Sequence, residues 1–173
     1  MEKEDLELRR KWVFKAGSAR LHLIKKPLES SEHVFLKAFV WALFRENYNA
    51  LEVEKSTGDR YKPDVICLDP EPPGQPIFWA EAGQVKPEKV VSILRRFPGL
   101  HFLVARWGFR KEPLVDLLQK RLMGDNRIEK NAPRVELLQV SNSAHLNCIE
   151  NGRIGLTSEH YRILPVWPLN AAG

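Results

Sequence analysis

The stretch that decides the fold is KPDVICLDPEPPGQPIFWAEAGQVKPEK, from Lys62 to Lys89. It holds two apolar runs of strand length, VICL and IFWA, joined by a Pro-rich loop. Near-continuous apolar runs of this kind suit central strands covered on both faces. The loop is too short for a crossover, so the two strands are expected to be antiparallel. A natural register pairs Leu68 with Ile77 and Ile66 with Trp79. Asp64, which opens the first run, then lies opposite Glu81, which closes the second. Directly opposed side chains have Cβ atoms about 4.5–5.5 Å apart, and two like charges at that spacing are destabilising. Something must compensate. A divalent cation is one answer; an ion pair with Arg60, Lys62 or Lys86, or a turn role for Pro63-Asp64, is another.

Working outward, KPEKVVSILRRFPG places Pro87 at the first position of a helix and Pro98-Gly99 beyond its end. HFLVARW reads as a further buried strand, so the helix links two strands as a right-handed crossover between parallel neighbours. Upstream, SSEHVFLKAFVWALFRENYN is a helix capped by Ser30 or Ser31, with a wide apolar face and Glu32 in its first turn. ALEVEKS alternates as a half-exposed strand. WVFKAGSARLHLIKK reads as a hairpin about Gly17-Ser18. KEPLVDLLQKRLMG is an amphipathic helix stopped by Gly124, and RVELLQV, HLNCIE and YRILPVW are read as later strands. The predicted fold class is α/β: a mixed β-sheet flanked by helices, with residues 1–173 forming a single domain.

Composition excludes several classes. The chain has 173 residues, 43% hydrophobic and 28% charged, as in an ordinary globular domain. No apolar run approaches the ~18–20 residues of a membrane span. The highly charged N-terminal stretch lacks the apolar core of a signal peptide, so the reading is cytoplasmic. Two cysteines, Cys67 and Cys148, sit in apolar contexts and read as buried thiols. A net charge of +5 pulls mildly toward polyanions, with nucleic acid the natural partner and a protein partner the alternative. Five histidines form no zinc-binding pair, and there is no nucleophile elbow, Walker loop or dinucleotide fingerprint. Trp41 and Trp79 are core candidates. Trp107, beside Arg106 and Arg110, reads either as core or as a stacking rim for phosphates.

Three segments, SEHVFLKAFVWALF (31–44), STGDRYKPDV (56–65) and WAEAGQVKPEKV (79–90), resemble the YaeQ family within the PD-(D/E)xK nuclease superfamily. The resemblance implies a restriction-endonuclease-like αβββαβ core, here with extra N- and C-terminal strands. It also implies a metal-dependent nuclease. Asp64 and Glu81 match the acids that bind Mg²⁺ or Mn²⁺, and Glu32 matches the first-helix acid. The common pattern has a lysine two residues beyond the second acid; here that position is Gly83. Gln84 and Lys86 are then the candidates to position the attacking water, and a non-catalytic nuclease-like domain that binds nucleic acid or a protein is the alternative function.

Overall fold

The structure is a computed structural model that describes residues 10–169. Its centre is the hairpin of the quoted stretch. Strands β4 (Val65–Leu68) and β5 (Pro76–Ala82) are antiparallel, with Val65 opposite Ala80 and Ile66 opposite Trp79. A register shift after Cys67 sets Leu68 opposite Pro76, not Ile77. Pro76 has no N–H to offer the ladder, which favours an irregularity at this end. The loop closes through Asp69 N–H to the Gln75 carbonyl at 2.8 Å and Gly74 N–H to the Glu71 carbonyl at 2.9 Å.

Four more strands complete the sheet: β3 (Glu52–Val53), β6 (His101–Trp107), β7 (Arg134–Val140) and β10 (Tyr161–Trp167). The order is β10-β7-β6-β5-β4-β3. β5, β6 and β7 run parallel, and the remaining pairs are antiparallel, so the sheet is mixed as predicted. The crossover from β5 to β6 carries helix α2 (Pro87–Leu94), with Pro87 in its first turn. It stops four residues before Pro98, shorter than the spacing predicts. Helices α3 (Pro113–Leu122) and α4 (Asn126–Asn131) share the α2 face. There Val90, Ile93, Leu118, Leu122 and Ile128 pack with Ile66, Trp79, Phe102 and Val135.

The opposite face carries helix α1 (Ser31–Phe44), capped by the Ser30 side chain, which accepts from His33 N–H. Its apolar residues run nearly all round, as a helix buried on two sides requires. The second cover is a separate four-stranded sheet, order β2-β1-β9-β8. It combines the predicted hairpin β1 (Arg10–Ala16) and β2 (Ala19–Lys25) with β8 (Ile149–Glu150) and β9 (Arg153–Ile154). Phe14, Leu23, Val34, Phe39, Phe78 and Ala80 belong to one buried cluster, so α1 sits between the two sheets. The close pairing of β9 with β1 requires Gly152: a Cβ there would lie 2.5 Å from the Val13 carbonyl oxygen.

HLNCIE departs from its predicted strand. Ala144–Asn147 is a short helix, α5, and the strand is only Ile149–Glu150. Leu146 and Cys148 suggested alternation, but the buried pair is Ala144 and Cys148, four apart, while Leu146 is exposed. Cys67 and Cys148 are both buried free thiols, and Trp41 and Trp79 are both core residues. Trp107 packs edge-on against Phe39 with its indole N–H on the Glu32 carbonyl, so it serves the core, not a phosphate rim. Among the described residues no helix is long and apolar enough to cross a membrane. The charged N-terminal stretch lies outside those residues.

Candidate functional site

Asp64 stands one residue before β4, after Pro63. Its N–H donates to the Ala80 carbonyl at 3.1 Å, and its own carbonyl accepts from Glu54 N–H at 2.9 Å. Its side chain also joins the ladder: Oδ2 accepts from Ala82 N–H at 2.8 Å. The other oxygen, Oδ1, lies 3.3 Å from His33 Nε2 on α1. Burial alone would raise the Asp64 pKa, but the bonds from His33 and Ala82, with the charges of His33 and Lys37, outweigh it and hold the carboxyl below its usual range. The hydrogen bond to Asp64 in turn raises the His33 pKa, against the effect of burial.

Glu81 lies inside β5, at the position the β4–β5 register sets beside Asp64. It is on the α2 face with Trp79, two residues before it. Glu81 Oε1 accepts from Trp79 Nε1 at 2.8 Å and meets Lys89 Nζ at 2.7 Å. Burial pushes the Glu81 pKa up, and the nearby Asp64 charge adds to that push; the Lys89 and Trp79 bonds oppose it without cancelling it. The two acids therefore sit at adjacent strand ends and feel each other. Their basic partners come from opposite faces of the sheet, His33 from α1 and Lys89 from α2.

Behind Asp64 lies a network of buried charge. Glu29, His33 and Lys37 recur every fourth residue, so they form one stripe on α1. Lys37 is 1% exposed. Its ammonium bonds Glu29, and Glu54 Oε1 at 2.6 Å. His33 Nε2 stands 3.6 Å from Glu29 Oε1. A cavity of about 320 Å³ opens over this network, lined in part by Lys26, Glu29, His33, Glu54, Lys62 and Asp64.

The predicted residues divide. Asp64 and Glu81 come together. Glu32 does not join them: its side chain is exposed, and it has no hydrogen-bond or ion-pair partner among the described residues. One helical step of about 100° separates it from His33, which faces Asp64 instead. Gln84 and Lys86 are also exposed and unpartnered among the described residues, with Lys86 at the N-cap of α2. The lysine that returns to the strand end is Lys89. Helical side chains lean toward the helix N-terminus, so a residue one turn into α2 reaches back over β5. Gly83, with φ of +81°, turns the chain out of the strand. A Cβ there would lie 3.6 Å from His33 Nδ1, so the imidazole occupies the space next to the missing side chain. Arg60, Lys62 and Lys86, the sequence-level candidates for ion pairs with the acids, do not make them.

The donor set consists of carboxylate oxygens, which suits a hard cation such as Mg²⁺ or Mn²⁺. Among the described residues no group of three or more His, Cys, Asp or Glu side chains is placed to share a metal. Mg²⁺ asks for less than that: one or two carboxylates, with waters and substrate phosphate oxygens completing the shell. Glu81 Oε2 has no partner among the described residues and is free to ligate. The residues present fit such an ion, without forming a closed cage for it.

No family model matches the chain, and no curated protein matches it. Solved structures do. The element order and mixed sheet define an α/β fold that other chains share over their whole length. One is the YaeQ protein from Xanthomonas axonopodis pv. citri, 18% identical, with a TM-score of 0.53 over 90% of this chain and 94% of that one. Another is the YaeQ protein from Pseudomonas syringae, 12% identical, with a TM-score of 0.55 over 90% and 92%. The likeness is one of fold, and the fold is that of these YaeQ proteins.

Proposed function

We propose that the protein is a metal-dependent hydrolase of nucleic-acid phosphodiester bonds, with a variant of the PD-(D/E)xK site. The observation that carries the reading is the Glu81–Lys89 contact of 2.7 Å, at the strand end beside Asp64. It supplies two acids and a lysine although the strand lysine is replaced by Gly83. The order α1-β3-β4-β5-α2-β6 supports the αβββαβ core this reading requires. Asp64 and Glu81 would hold Mg²⁺ or Mn²⁺. When bound, the ion supplies Lewis-acid polarisation of a phosphoryl oxygen and a more acidic water.

The remaining work falls to the chain. Lys89 places a positive charge where negative charge grows on the phosphate, and donates hydrogen bonds to it. His33 and Ala82 N–H fix the Asp64 carboxylate in its ionised form. Trp79 Nε1 fixes Glu81 from the other side. Water adds to phosphorus, the P–O bond to the leaving group breaks, and the leaving oxygen takes a proton. The products are a phosphomonoester and a hydroxyl.

A second reading rests on a different observation. His33 and Lys89 already neutralise the two acids, so the pair is stable without a cation, as in a domain that binds nucleic acid without cutting it. Labelled DNA and RNA incubated with Mg²⁺ or Mn²⁺ separate the two. The hydrolase reading expects cleavage, abolished in Asp64→Asn and reduced about 10²–10³-fold in Lys89→Met, as for loss of one charge-stabilising donor. Cleavage unchanged in Asp64→Asn removes this site. Binding without cleavage, indifferent to chelator, favours the second reading.

A further inference from the structure

A second feature lies on the α2 face, outside the acid pair. A groove of about 500 Å³ runs between α2, α3 and the start of α4, lined by five arginines: Arg60, Arg95, Arg96, Arg121 and Arg127. A neighbouring hollow of about 560 Å³ shares Arg95, Arg121 and Arg127 with it. Three carboxylates pin these side chains. Arg95 Nε and Nη2 both meet Asp125 Oδ2, at 2.8 and 2.7 Å. Arg121 Nη2 meets Glu88 Oε1 at 2.8 Å. Arg96 pairs with Asp59 and also donates to the Ser92 carbonyl. Arg60 donates to the Ser92 hydroxyl, and Arg127 has no side-chain partner among the described residues.

Five guanidinium groups against three carboxylates leave the groove positive. Guanidinium N–H groups not used by these partners remain on Arg60, Arg95, Arg121 and Arg127, all of them exposed. Fixed guanidinium forks with spare N–H groups match phosphate oxygens in geometry as well as charge. The groove is also continuous with the acid pair. The Tyr61 ring carries the Arg60 guanidinium 4.7 Å from its centroid, Lys89 Nζ at 5.5 Å and the Arg96 guanidinium at 5.9 Å. Lys89 in turn touches Glu81. From Lys89 to Arg95 the helix rises about 9 Å. Nucleotides advance about 3.4 Å each along one strand of a duplex, so this distance spans about three phosphates.

We infer that this arginine groove is the track for the sugar–phosphate backbone of a nucleic-acid strand leading to the Asp64–Glu81 site. The inference deepens the proposed function and rests on it for the identity of the polyanion. A row of cations that starts at one acid pair and passes Arg121 and Arg127 is longer than a mononucleotide's phosphates. It fits successive phosphodiesters.

The test reads binding apart from cleavage. Full-length Glu81→Gln protein, in EDTA, is titrated against a fluorescein-labelled 20-nucleotide strand by anisotropy over a salt series. The Arg121→Glu/Arg127→Glu double variant is expected to weaken binding at least tenfold. Its log–log salt slope should fall by about 1.4–1.8, as for two lost phosphate contacts. Arg20→Glu, on the distant hairpin, should stay within twofold, with thermal melts confirming that each variant is folded. A double variant no weaker than Arg20→Glu overturns the inference, as does an absence of binding by the parent. Displacement of the strand by tripolyphosphate at equal phosphate concentration overturns the strand as occupant. If the double variant loses binding but the wild type never cleaves, the groove stands and the hydrolase reading fails. If the wild type cleaves and Arg121→Glu/Arg127→Glu cleaves equally well, the groove falls and the hydrolase reading stands.

Discussion

Lys37→Met is the sharpest test of the charge network that holds Asp64. The ammonium is 1% exposed and holds two carboxylates, Glu29 with 10% and Glu54 with 21% of the side chain exposed. Without it, Glu54 keeps only Lys26, 3.9 Å away and well exposed, and Glu29 keeps His33 at 3.6 Å. Breaking a buried ion pair from one side costs about 3–5 kcal/mol. Glu54 is partly solvated, so the lower end, about 3 kcal/mol, applies. For a chain of this size 1 kcal/mol moves Tm by about 2–4 °C, which gives a drop of about 6–12 °C at pH 7. The effect should shrink in acid. The Glu29 pKa is lowered in the folded protein: burial opposes this, but the Lys37 bond leads the terms that outweigh it. Its stabilisation is therefore present above the unfolded carboxylate range and lost as pH falls through the lowered folded value. Thermal melts by circular dichroism at pH 7 and in acid read both effects, and Lys37→Met/Glu29→Gln/Glu54→Gln should recover part of the loss. A drop below about 2 °C at pH 7, or the same drop at both pH values, would refute the reasoning.

The His33–Asp64 pair gives a second pH signature. A raised His33 pKa contributes stability below the unfolded histidine value and loses it as pH rises through the folded value, whereas the lowered Asp64 pKa contributes above the unfolded aspartate value and loses it in acid. The excess stability of wild type over His33→Gln, from urea melts, should therefore be greatest between about pH 4 and 6.5 and decline on both sides; a flat difference contradicts the pair. Gly83→Ala should cost about 1–2 kcal/mol through its positive φ alone, because the nearest neighbour of a new Cβ, at 3.6 Å, is an ordinary contact. An unchanged Tm would contradict that backbone assignment.

Much of the central sheet was legible. Ile66 opposite Trp79, the antiparallel hairpin and the parallel β5–β6 pair all follow from run length and loop length, which are local facts. The second sheet was not legible, because Lys15 of β1 pairs with Arg153 of β9 across most of the chain. α4 carries one buried residue, Ile128, too few for a period to show. Within the site, the resemblance fixed the two acids but not their partners. Lys89 was hidden because its reach depends on where α2 begins and which way helical side chains lean. The Glu29–His33–Lys37 stripe was readable at spacing four, yet an acid, an imidazole and an amine on an otherwise apolar helix gave no hint of what lay opposite. Glu32 shows the limit of position-matching: one residue of phase turned it to solvent.

The most direct test of the central claim is calorimetric titration of Mn²⁺ into wild type, Asp64→Asn and Glu81→Gln. The account predicts a saturable site of one ion per chain in wild type, lost or weakened at least tenfold in each variant, with proton release on binding as the elevated Glu81 pKa is brought down. Equal Mn²⁺ binding by all three proteins, or none by wild type, would contradict it.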